Sequence, residues 1–194
     1  FFGGKAAREE LADYTANSVT LAAGRSKSED KIDRTYYLQY DMAKAQGAGA
    51  PPSSSAITVN YGWTGRYFNN ATNPTRGYGL GWDVGAGTTL TPAREPFSRL
   101  SARWLYFMPL SKTDEATNRR SRLAFRANGG AVIARDDAVV PITQLFLSGG
   151  DTTVRGYSYQ SIGARSDNGK LIGGRYMASG SIEWQRPITI AGNR

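Results

Sequence analysis

The stretch Ile172-Gly-Gly-Arg-Tyr-Met-Ala-Ser-Gly-Ser-Ile-Glu-Trp-Gln185 alternates residue by residue between two kinds of side chain. Tyr176 and Trp184 occupy even-numbered positions, whereas Arg175 and Glu183 occupy odd-numbered positions. Successive side chains of a β-strand point to opposite faces of its sheet. The stretch therefore predicts a strand within residues 170–188 that has one apolar face and one polar face.

Six other segments repeat the same two-residue period. They are residues 12–24, 32–42, 57–68, 77–90, 97–108 and 120–133, and the first has the weakest apolar row. These strands run for about 10 to 14 residues, which is long for a soluble domain. The length matches the roughly 9 to 11 residues that cross a bilayer at a tilt, and no stretch is apolar for long enough to form a membrane helix.

The polar face of the predicted sheet carries one arginine after another. A sandwich core could not hold these side chains unpaired, because removing each guanidinium from water costs several kcal/mol. A water-filled lumen could hold them, with the apolar face turned toward lipid. The predicted lumen-lining arginines are Arg66, Arg99, Arg103, Arg122, Arg126 and Arg175. The fold prediction is an all-β transmembrane antiparallel β-barrel fragment, an open meander of about seven long strands with one long inward-folding loop.

The composition argues against several classes of function. The 194 residues include no Cys and no His, so we expect no disulfide, no thiolate or imidazole metal ligand and none of the commonest general bases. No catalytic serine elbow, phosphate-binding loop or calcium-loop spacing occurs, and we therefore expect neither an enzyme nor a metal or other cofactor. The net charge of +8 does not indicate nucleic acid, because arginines and aromatic residues occupy opposite faces.

One connection, residues 134–169, is much longer than the others. The shorter connections are rich in Gly, Pro, Asn and Ser, which predicts hairpins between antiparallel neighbours. A compact domain rarely keeps a long loop without a use for it. This loop contains the segment Ser148-Gly-Gly-Asp-Thr-Thr-Val-Arg-Gly-Tyr157.

Arg155 in the long connection and Glu183 on the following strand form a candidate pair. Glu183 lies on the polar face by parity and is the one acid of its strand. Gly156 allows a close approach to the wall or a positive φ, and the guanidinium of Arg155 suits a bidentate grip on a carboxylate. Two alternatives stay open. The segment from Arg155 to Tyr157 could be an ordinary solvated turn, and Glu183 could pair with Arg122, Arg126 or Arg175 as well as with Arg155.

The loop and its flanking segments resemble the Omp85 superfamily of outer-membrane barrels, the bacterial surface antigen or D15 type. Ser148 to Gly163 is similar to the sixth extracellular loop of that family, and Asn73-Pro-Thr-Arg-Gly77 is similar to one of its turns. Arg103-Trp-Leu-Tyr-Phe-Met-Pro-Leu110 and Leu123-Ala-Phe-Arg-Ala-Asn-Gly-Gly-Ala131 most resemble one branch, the TamA subunit of the translocation and assembly module. The resemblance covers residues 57–187.

The resemblance implies that the loop folds back into the lumen and docks on the barrel wall. The docking motif would be Arg155, Gly156 and Tyr157 after the Gly149-Gly150 lead-in, with Glu183 as the acceptor on the wall. The implied function is to help insert or secrete outer-membrane proteins such as autotransporters, in the bacterial outer membrane. The implied partners are the lipid bilayer, outer-membrane protein clients and an inner-membrane or periplasmic subunit.

Barrels of this family have sixteen strands and follow periplasmic POTRA domains. We therefore expect residues 1–194 to be a partial barrel, roughly strands six to twelve, with the partner-binding domains and the lateral seam outside the chain. A second acidic partner for the loop arginine, expected on the next strand, is missing from the sequence.

Two other functions are compatible with the same patterns. One is a passive or two-partner-secretion-type pore with an arginine-lined lumen. The other is a soluble β-sandwich binding module, which would be monodisperse without detergent. POTRA repeats upstream of the barrel would favour assembly over a passive pore.

Overall fold

Long antiparallel strands make up most of the chain. The computed structural model describes residues 1–10, 15–47, 50, 52–111, 120–151, 153–165, 169 and 171–187. The long strands are β1 (Phe2–Glu10), β2 (Thr15–Glu29), β3 (Ile32–Gln46), β4 (Ser54–Phe68), β5 (Gly77–Thr91), β6 (Pro96–Pro109), β7 (Arg122–Ala134) and β10 (Tyr176–Gln185). Three short elements lie between β7 and β10: the 3-10 helix Ile142–Gln144, β8 (Ala164–Arg165) and β9 (Leu171–Ile172).

The eight long strands form one sheet in the order β1-β2-β3-β4-β5-β6-β7-β10, and every neighbouring pair is antiparallel. In the described part of the chain β1 and β10 are the edges, so the sheet is open. The predicted all-β meander is confirmed, with one strand more than the seven that alternation indicated. The extra strand, β1, contains Gly3, Gly4, Ala6 and Ala7, and such small residues carry almost no two-residue signal.

The predicted strand within residues 170–188 is shorter than expected. Only Tyr176–Gln185 joins the sheet, and Leu171–Ile172 pairs instead with β8. The reason is a bridge in which the backbones of Phe146 and Gly174 exchange two hydrogen bonds, 2.9 and 2.8 Å long. Residues 135–175 therefore form the long loop, which is six residues longer at its end than predicted; Ile188 lies outside the described residues.

The two faces of the sheet meet different surroundings. One face, here called the covered face, carries the long loop; the other, the bare face, carries large apolar side chains without cover. Val59, Ile133, Ile182 and Trp184 on the bare face are each 64–69% exposed. A row of aromatic side chains crosses the same face, with ring centroids 5.0 Å apart for Tyr67–Tyr78, 5.9 Å for Tyr106–Phe125 and 5.7 Å for Trp104–Tyr106.

A soluble β-sandwich would place a second sheet against these apolar side chains. The described residues contain only the eight-stranded sheet and the two-stranded β8-β9 pair, which belongs to the long loop. The sandwich alternative is therefore wrong. None of the described helices is long and apolar enough to cross a membrane.

The covered face is not uniformly polar. A small apolar cluster lies beneath the long loop, where the sheet contributes Ala56, Phe97 and Val132. The loop contributes Ala138, Val140 and Phe146 to the same cluster. Burial of these side chains from water holds the start of the loop against the wall.

Candidate functional site

The tip of the long loop is a compact hairpin held by its own backbone. Ser148 and Ile162 exchange hydrogen bonds of 2.7 and 2.9 Å, and the Gly150 N–H donates to the Tyr157 carbonyl at 3.0 Å. The Gly149 N–H donates to the Thr153 hydroxyl at 2.8 Å. These hydrogen bonds within the loop hold the tip hairpin, residues 148–162, together.

Three predicted motif glycines adopt backbone conformations that other residues rarely use. The φ angles are +114° at Gly149, +90° at Gly150 and +88° at Gly156. A Cβ atom at Gly156 would meet no atom within 4 Å, whereas one at Gly149 would lie 2.3 Å from the Ser158 carbonyl oxygen. Glycine is thus required at Gly156 by conformation alone and at Gly149 by conformation and crowding.

Arg155 at the tip contacts Glu183 on β10. The Arg155 Nη1 to Glu183 Oε1 distance is 3.0 Å, and Arg126 Nη1 lies 3.5 Å from the same oxygen. Gln185 Nε2 donates to Glu183 Oε2 at 3.2 Å. The sequence left four arginines open as partners for Glu183. Arg126 and Arg155 are present beside it together, whereas Arg122 and Arg175 contact other groups. The Glu183 side chain is 21% exposed and that of Arg155 is 60% exposed, so the pair is reached by water.

The loop tip reaches far along the wall. The loop rejoins the sheet at Tyr176, and Glu183 follows seven residues later on β10. At about 3.3 Å per residue, Glu183 lies roughly 23 Å from the end of the strand where the loop enters. The tip therefore contacts the wall near the opposite end of the sheet. The Tyr157 ring, predicted to dock with Arg155, is instead 59% exposed.

The base of the loop has a separate anchor on β3. The Asp41 side chain is completely buried and accepts hydrogen bonds from Gln144 Nε2 at 2.6 Å, Thr20 Oγ1 at 2.8 Å and Gln39 Nε2 at 2.8 Å. Gln144 itself is 4% exposed. This contact ties the loop to strands β2 and β3, which lie near one edge of the sheet. Glu183 lies on β10, at the opposite edge.

Arg99 on β6 and Gly130 on β7 complete this base anchor. Arg99 Nε donates to the Gln144 carbonyl at 3.0 Å, and its guanidinium lies 4.6 Å from the centre of the Phe146 ring. The Phe146 ring covers Gly130 so closely that a Cβ atom there would lie 2.3 Å from Phe146 Cζ. Arg99, one of the predicted lumen-lining arginines, thus holds the loop against the wall.

Arg175 lies at the entrance of the loop. Its guanidinium donates to the carbonyls of Ala134, Arg135, Asp136 and Ala138 at 2.8–3.3 Å. Arg175, predicted to line the lumen, caps the backbone where the chain leaves β7.

Arg122 lies at the opposite end of β7 and holds the predicted turn. It donates to the Pro74 carbonyl, to Asn73 Oδ1 at 3.3 Å and to Gln185 Oε1 at 2.6 Å. Its guanidinium also lies 4.6 Å from the centre of the Phe107 ring. The turn between β4 and β5 is thereby joined to β10 across the covered face.

The six predicted luminal arginines therefore do not form one site. Arg66 pairs with Asp33 at the end of β3, whereas Arg103 makes one long hydrogen bond, 3.4 Å, to the Thr64 hydroxyl. Arg126 belongs with the tip contact, and the others brace the loop base, its entrance and the turn. Sequence reasoning missed Asp41, Gln144, Phe146 and Gly130. The available signals were the polar parity of Asp41 and the apolar run Ala138-Val-Val-Pro-Ile142 inside the loop.

A large cavity remains between the loop and the covered face. Its volume is about 760 Å³, and its wall includes Tyr37, Asp83, Arg99, Ser101 and Thr143. Tyr37 donates to Asp83 Oδ2 at 3.0 Å, whereas the buried Thr143 hydroxyl has no hydrogen-bond partner among the described residues. The described residues contain no cluster of acids that could hold a metal ion.

A single meander with one bare apolar face, one polar face and a loop folded onto the polar face defines a transmembrane β-barrel wall. The model of the Omp85 superfamily domain matches residues 6–194, and the chain belongs to the Omp85 superfamily. The protein is therefore located in the bacterial outer membrane. In that setting the bare face contacts lipid and the covered face lines the lumen.

A solved structure supports the fold. BamA from Haemophilus ducreyi lacking POTRA domains 1-3 is similar to this chain with a TM-score of 0.68 and 16% sequence identity. The similarity covers 93% of this chain and 39% of the BamA chain, so this chain spans well under half of that protein's length. At this identity the similarity shows a shared fold.

Proposed function

We propose that this chain is part of the barrel of an outer-membrane protein assembly or translocation factor. The barrel would help insert or secrete outer-membrane proteins such as autotransporters, as in the TamA branch. The long loop would act as an internal lid and brace of the barrel. Superfamily membership supports the assembly function, and the sequence resemblance of residues 103–110 and 123–131 supports the branch.

The loop position is the observation that carries the proposal. A passive hydrophilic pore requires an open lumen. Here the loop fills part of the lumen and contacts strands near both edges of the sheet. Its base contacts Asp41 on β3, and its tip contacts Glu183 on β10. A loop held at two distant points can stabilise the wall and control access to the lumen.

The chain would supply about half of a sixteen-stranded barrel. Seven long strands precede the long loop and one follows it. If the loop is the sixth extracellular loop, β10 corresponds to strand twelve and β1 to strand five, one strand earlier than the predicted six to twelve. Partners would be lipid, client proteins and a periplasmic or inner-membrane subunit reached through other domains, and we expect no enzymatic activity.

Replacing Arg155 with alanine in the full-length protein should reduce client assembly more than it reduces stability. The Arg155–Glu183 contact is largely exposed, so its loss should change the free energy of unfolding by less than about 1 kcal/mol. The tip would nevertheless lose its position near the far end of β10. Assembly of an autotransporter client in cells depleted of the wild-type protein measures the functional effect.

Arg135→Ala is the matched control, because Arg135 is also an exposed loop arginine with acidic neighbours, Glu95 and Asp137, at 3.8 and 3.5 Å. It should support normal client assembly. Glu183→Gln should resemble Arg155→Ala, and the double variant should be no worse than either single variant. Normal assembly by Arg155→Ala would contradict the lid role.

A passive or secretion-type pore is the second candidate, and the cavity of about 760 Å³ left between the loop and the wall favours it. Conductance of the full-length protein in planar bilayers distinguishes the two. Large, steady conductance in wild type supports a pore. Low conductance that rises in Arg155→Ala supports a loop that closes the lumen.

A further inference from the structure

Basic side chains interrupt the apolar bare face at one end of the sheet, beside the β2-β3 hairpin. Arg25 and Lys27 on β2 and Arg34 on β3 occupy bare-face positions by the alternation of each strand. Lys27 lies directly opposite Arg34 in the register. Arg25 lies one row further from the hairpin, opposite Tyr36. Arg25 and Arg34 are therefore diagonal neighbours, with Cβ atoms about 7 to 8 Å apart.

The position of these residues along the strands places their charges at the boundary of the bilayer. Lys27 lies two residues before the end of β2, and Arg34 lies two residues after the start of β3. A basic side chain on the lipid face of a barrel costs much more at the bilayer midplane than near the headgroups. Arg25 lies two residues deeper than Lys27, and its long stem can carry the guanidinium to the headgroup region.

The one acid on the bare face of this hairpin does not balance the positive charge. Glu29 accepts a hydrogen bond from Arg34 Nη1 at 3.0 Å and also pairs with Lys27. Arg25 is exposed, and its side chain contacts no acid among the described residues. Three basic side chains thus face one carboxylate, which leaves a surplus of two positive charges.

The remaining charges of the hairpin do not change this balance. The turn adds one base and one acid, Lys31 and Asp30, whose charges cancel. Asp33 belongs to the covered face by parity, and there it pairs with Arg66. The surplus of positive charge is therefore confined to the side of the hairpin that faces lipid.

Aromatic side chains lie beside the basic ones. In the register of the sheet Tyr36 is opposite Arg25, and Trp63 is opposite Arg34. The Tyr36 ring is 55% exposed, and its centroid lies 4.7 Å from that of Tyr61. Tyr and Trp side chains of membrane proteins are enriched at the level of the headgroups. The same surface therefore combines interfacial aromatic rings with unbalanced positive charge.

We propose that Arg25, Lys27 and Arg34, here called the basic patch, bind the phosphate group of an anionic phospholipid. The lipid belongs to the leaflet at the β2-β3 hairpin, at the end of the sheet opposite the entrance of the long loop. The planar guanidinium of Arg25 can donate two parallel hydrogen bonds to a phosphate, and Arg34 supplies a second positive charge from the neighbouring strand. An anionic headgroup fits the surplus charge, whereas a zwitterionic headgroup also brings an ammonium group that the patch repels. The proposal rests on the assignment of the bare face to lipid and does not depend on the lid role of the loop.

The test measures which lipid collects at the basic patch of the full-length protein. A single cysteine at Ala23, on the bare face one row from Arg25, is labelled with bimane, and the protein is placed in phosphatidylcholine liposomes. A small fraction of spin-labelled phosphatidylglycerol or spin-labelled phosphatidylcholine then quenches the bimane. At equal content, phosphatidylglycerol should quench as if it were enriched about fivefold or more, because each basic residue near an anionic surface contributes roughly that factor.

Charge variants should change this enrichment in opposite directions. Arg25→Gln should remove most of it, and Arg25→Lys, which keeps the charge, should keep most of it. Glu29→Gln should raise the enrichment, because it frees Lys27 and Arg34 from their carboxylate. Arg94→Gln is the matched control, because Arg94 is an exposed arginine in the β5-β6 turn at the other end of the sheet. It should leave the enrichment unchanged.

Three outcomes would overturn the proposal. They are equal quenching by the two spin-labelled lipids, unchanged enrichment in Arg25→Gln, and equal losses in Arg25→Gln and Arg94→Gln. Quenching by spin-labelled phosphatidylcholine reports lipid contact at Ala23 by itself. Failure of the headgroup site is therefore distinguishable from failure of the assignment of the bare face to lipid.

Discussion

Replacing Asp41 with alanine is expected to lower the free energy of unfolding of the full-length barrel by about 2 to 4 kcal/mol. The carboxylate is completely buried and accepts three hydrogen bonds, from Thr20, Gln39 and Gln144. Its removal leaves the buried amide of Gln144 without an acceptor, and water does not reach it easily. Urea unfolding in detergent, followed by tryptophan fluorescence, measures the change.

Asp136→Ala provides the matched control for Asp41→Ala. Asp136 is a fully exposed loop acid whose Oδ1 lies 3.8 Å from Arg175 Nη1, and its removal should change stability by less than about 0.5 kcal/mol. Asp41→Asn keeps the shape and one acceptor oxygen and should be intermediate. Equal stabilities for Asp41→Ala and Asp136→Ala would show that the base anchor contributes little.

Replacing Gly130 with valine is expected to release the base of the loop from the wall. The Phe146 ring lies over Gly130, and the first added carbon would already lie 2.3 Å from that ring. The ring must move, which also separates it from Arg99 and from the apolar cluster under the loop. Overpacking of this kind costs typically about 1 to 3 kcal/mol, and lost burial of Phe146 adds to it.

Limited proteolysis of the loop measures this release directly, because Arg135 and Arg165 offer trypsin sites on either side of the tip. Cleavage should be faster in Gly130→Val than in wild type. Gly129→Val is the control: Gly129 faces lipid, and a Cβ there would come no closer than 3.8 Å to its nearest neighbour, the Met177 carbonyl. Similar cleavage rates in Gly130→Val and Gly129→Val would contradict the role given to Phe146.

The sheet could be predicted from the sequence because its main determinant is local. Each long strand must present one face to hydrocarbon and the other to water, and this requirement acts on neighbouring residues such as Leu100 and Ser101. Where both faces carry small residues, as in β1, the apolar-polar alternation disappears. The sequence pattern therefore does not predict this strand. The end of the long loop was misplaced because Ile172 and Gly174 fit the alternation, although a bridge to Phe146 removes them from the sheet.

The tip contact was accessible to sequence reasoning, whereas the base anchor was not. Glu183 follows the loop closely in the chain, and parity alone assigns it to the polar face. The base anchor joins Gln144 to Asp41, 103 residues apart. A polar residue facing water on β3 has the same pattern as one facing a loop, so only the folded structure distinguishes them.

Two anchors with different burial suggest different roles for the two ends of the loop. The base contact involves a carboxylate with no exposure, whereas the tip contact is made by an arginine that is 60% exposed. Buried hydrogen bonds to a charged group contribute more to stability than exposed ion pairs do. Variants at the base should therefore act mainly on barrel stability and variants at Arg155 mainly on client assembly.

The most direct test of the two-faced wall is spin-label accessibility at consecutive positions of β6. The chain has no native cysteine, so single cysteines at Leu100, Ser101 and Ala102 can be labelled cleanly in the full-length protein in liposomes. Labels at Leu100 and Ala102 should collide mainly with oxygen, which concentrates in lipid. The label at Ser101 should collide mainly with a water-soluble nickel chelate. The same accessibility at all three positions would contradict the assignment of lipid and water to opposite faces.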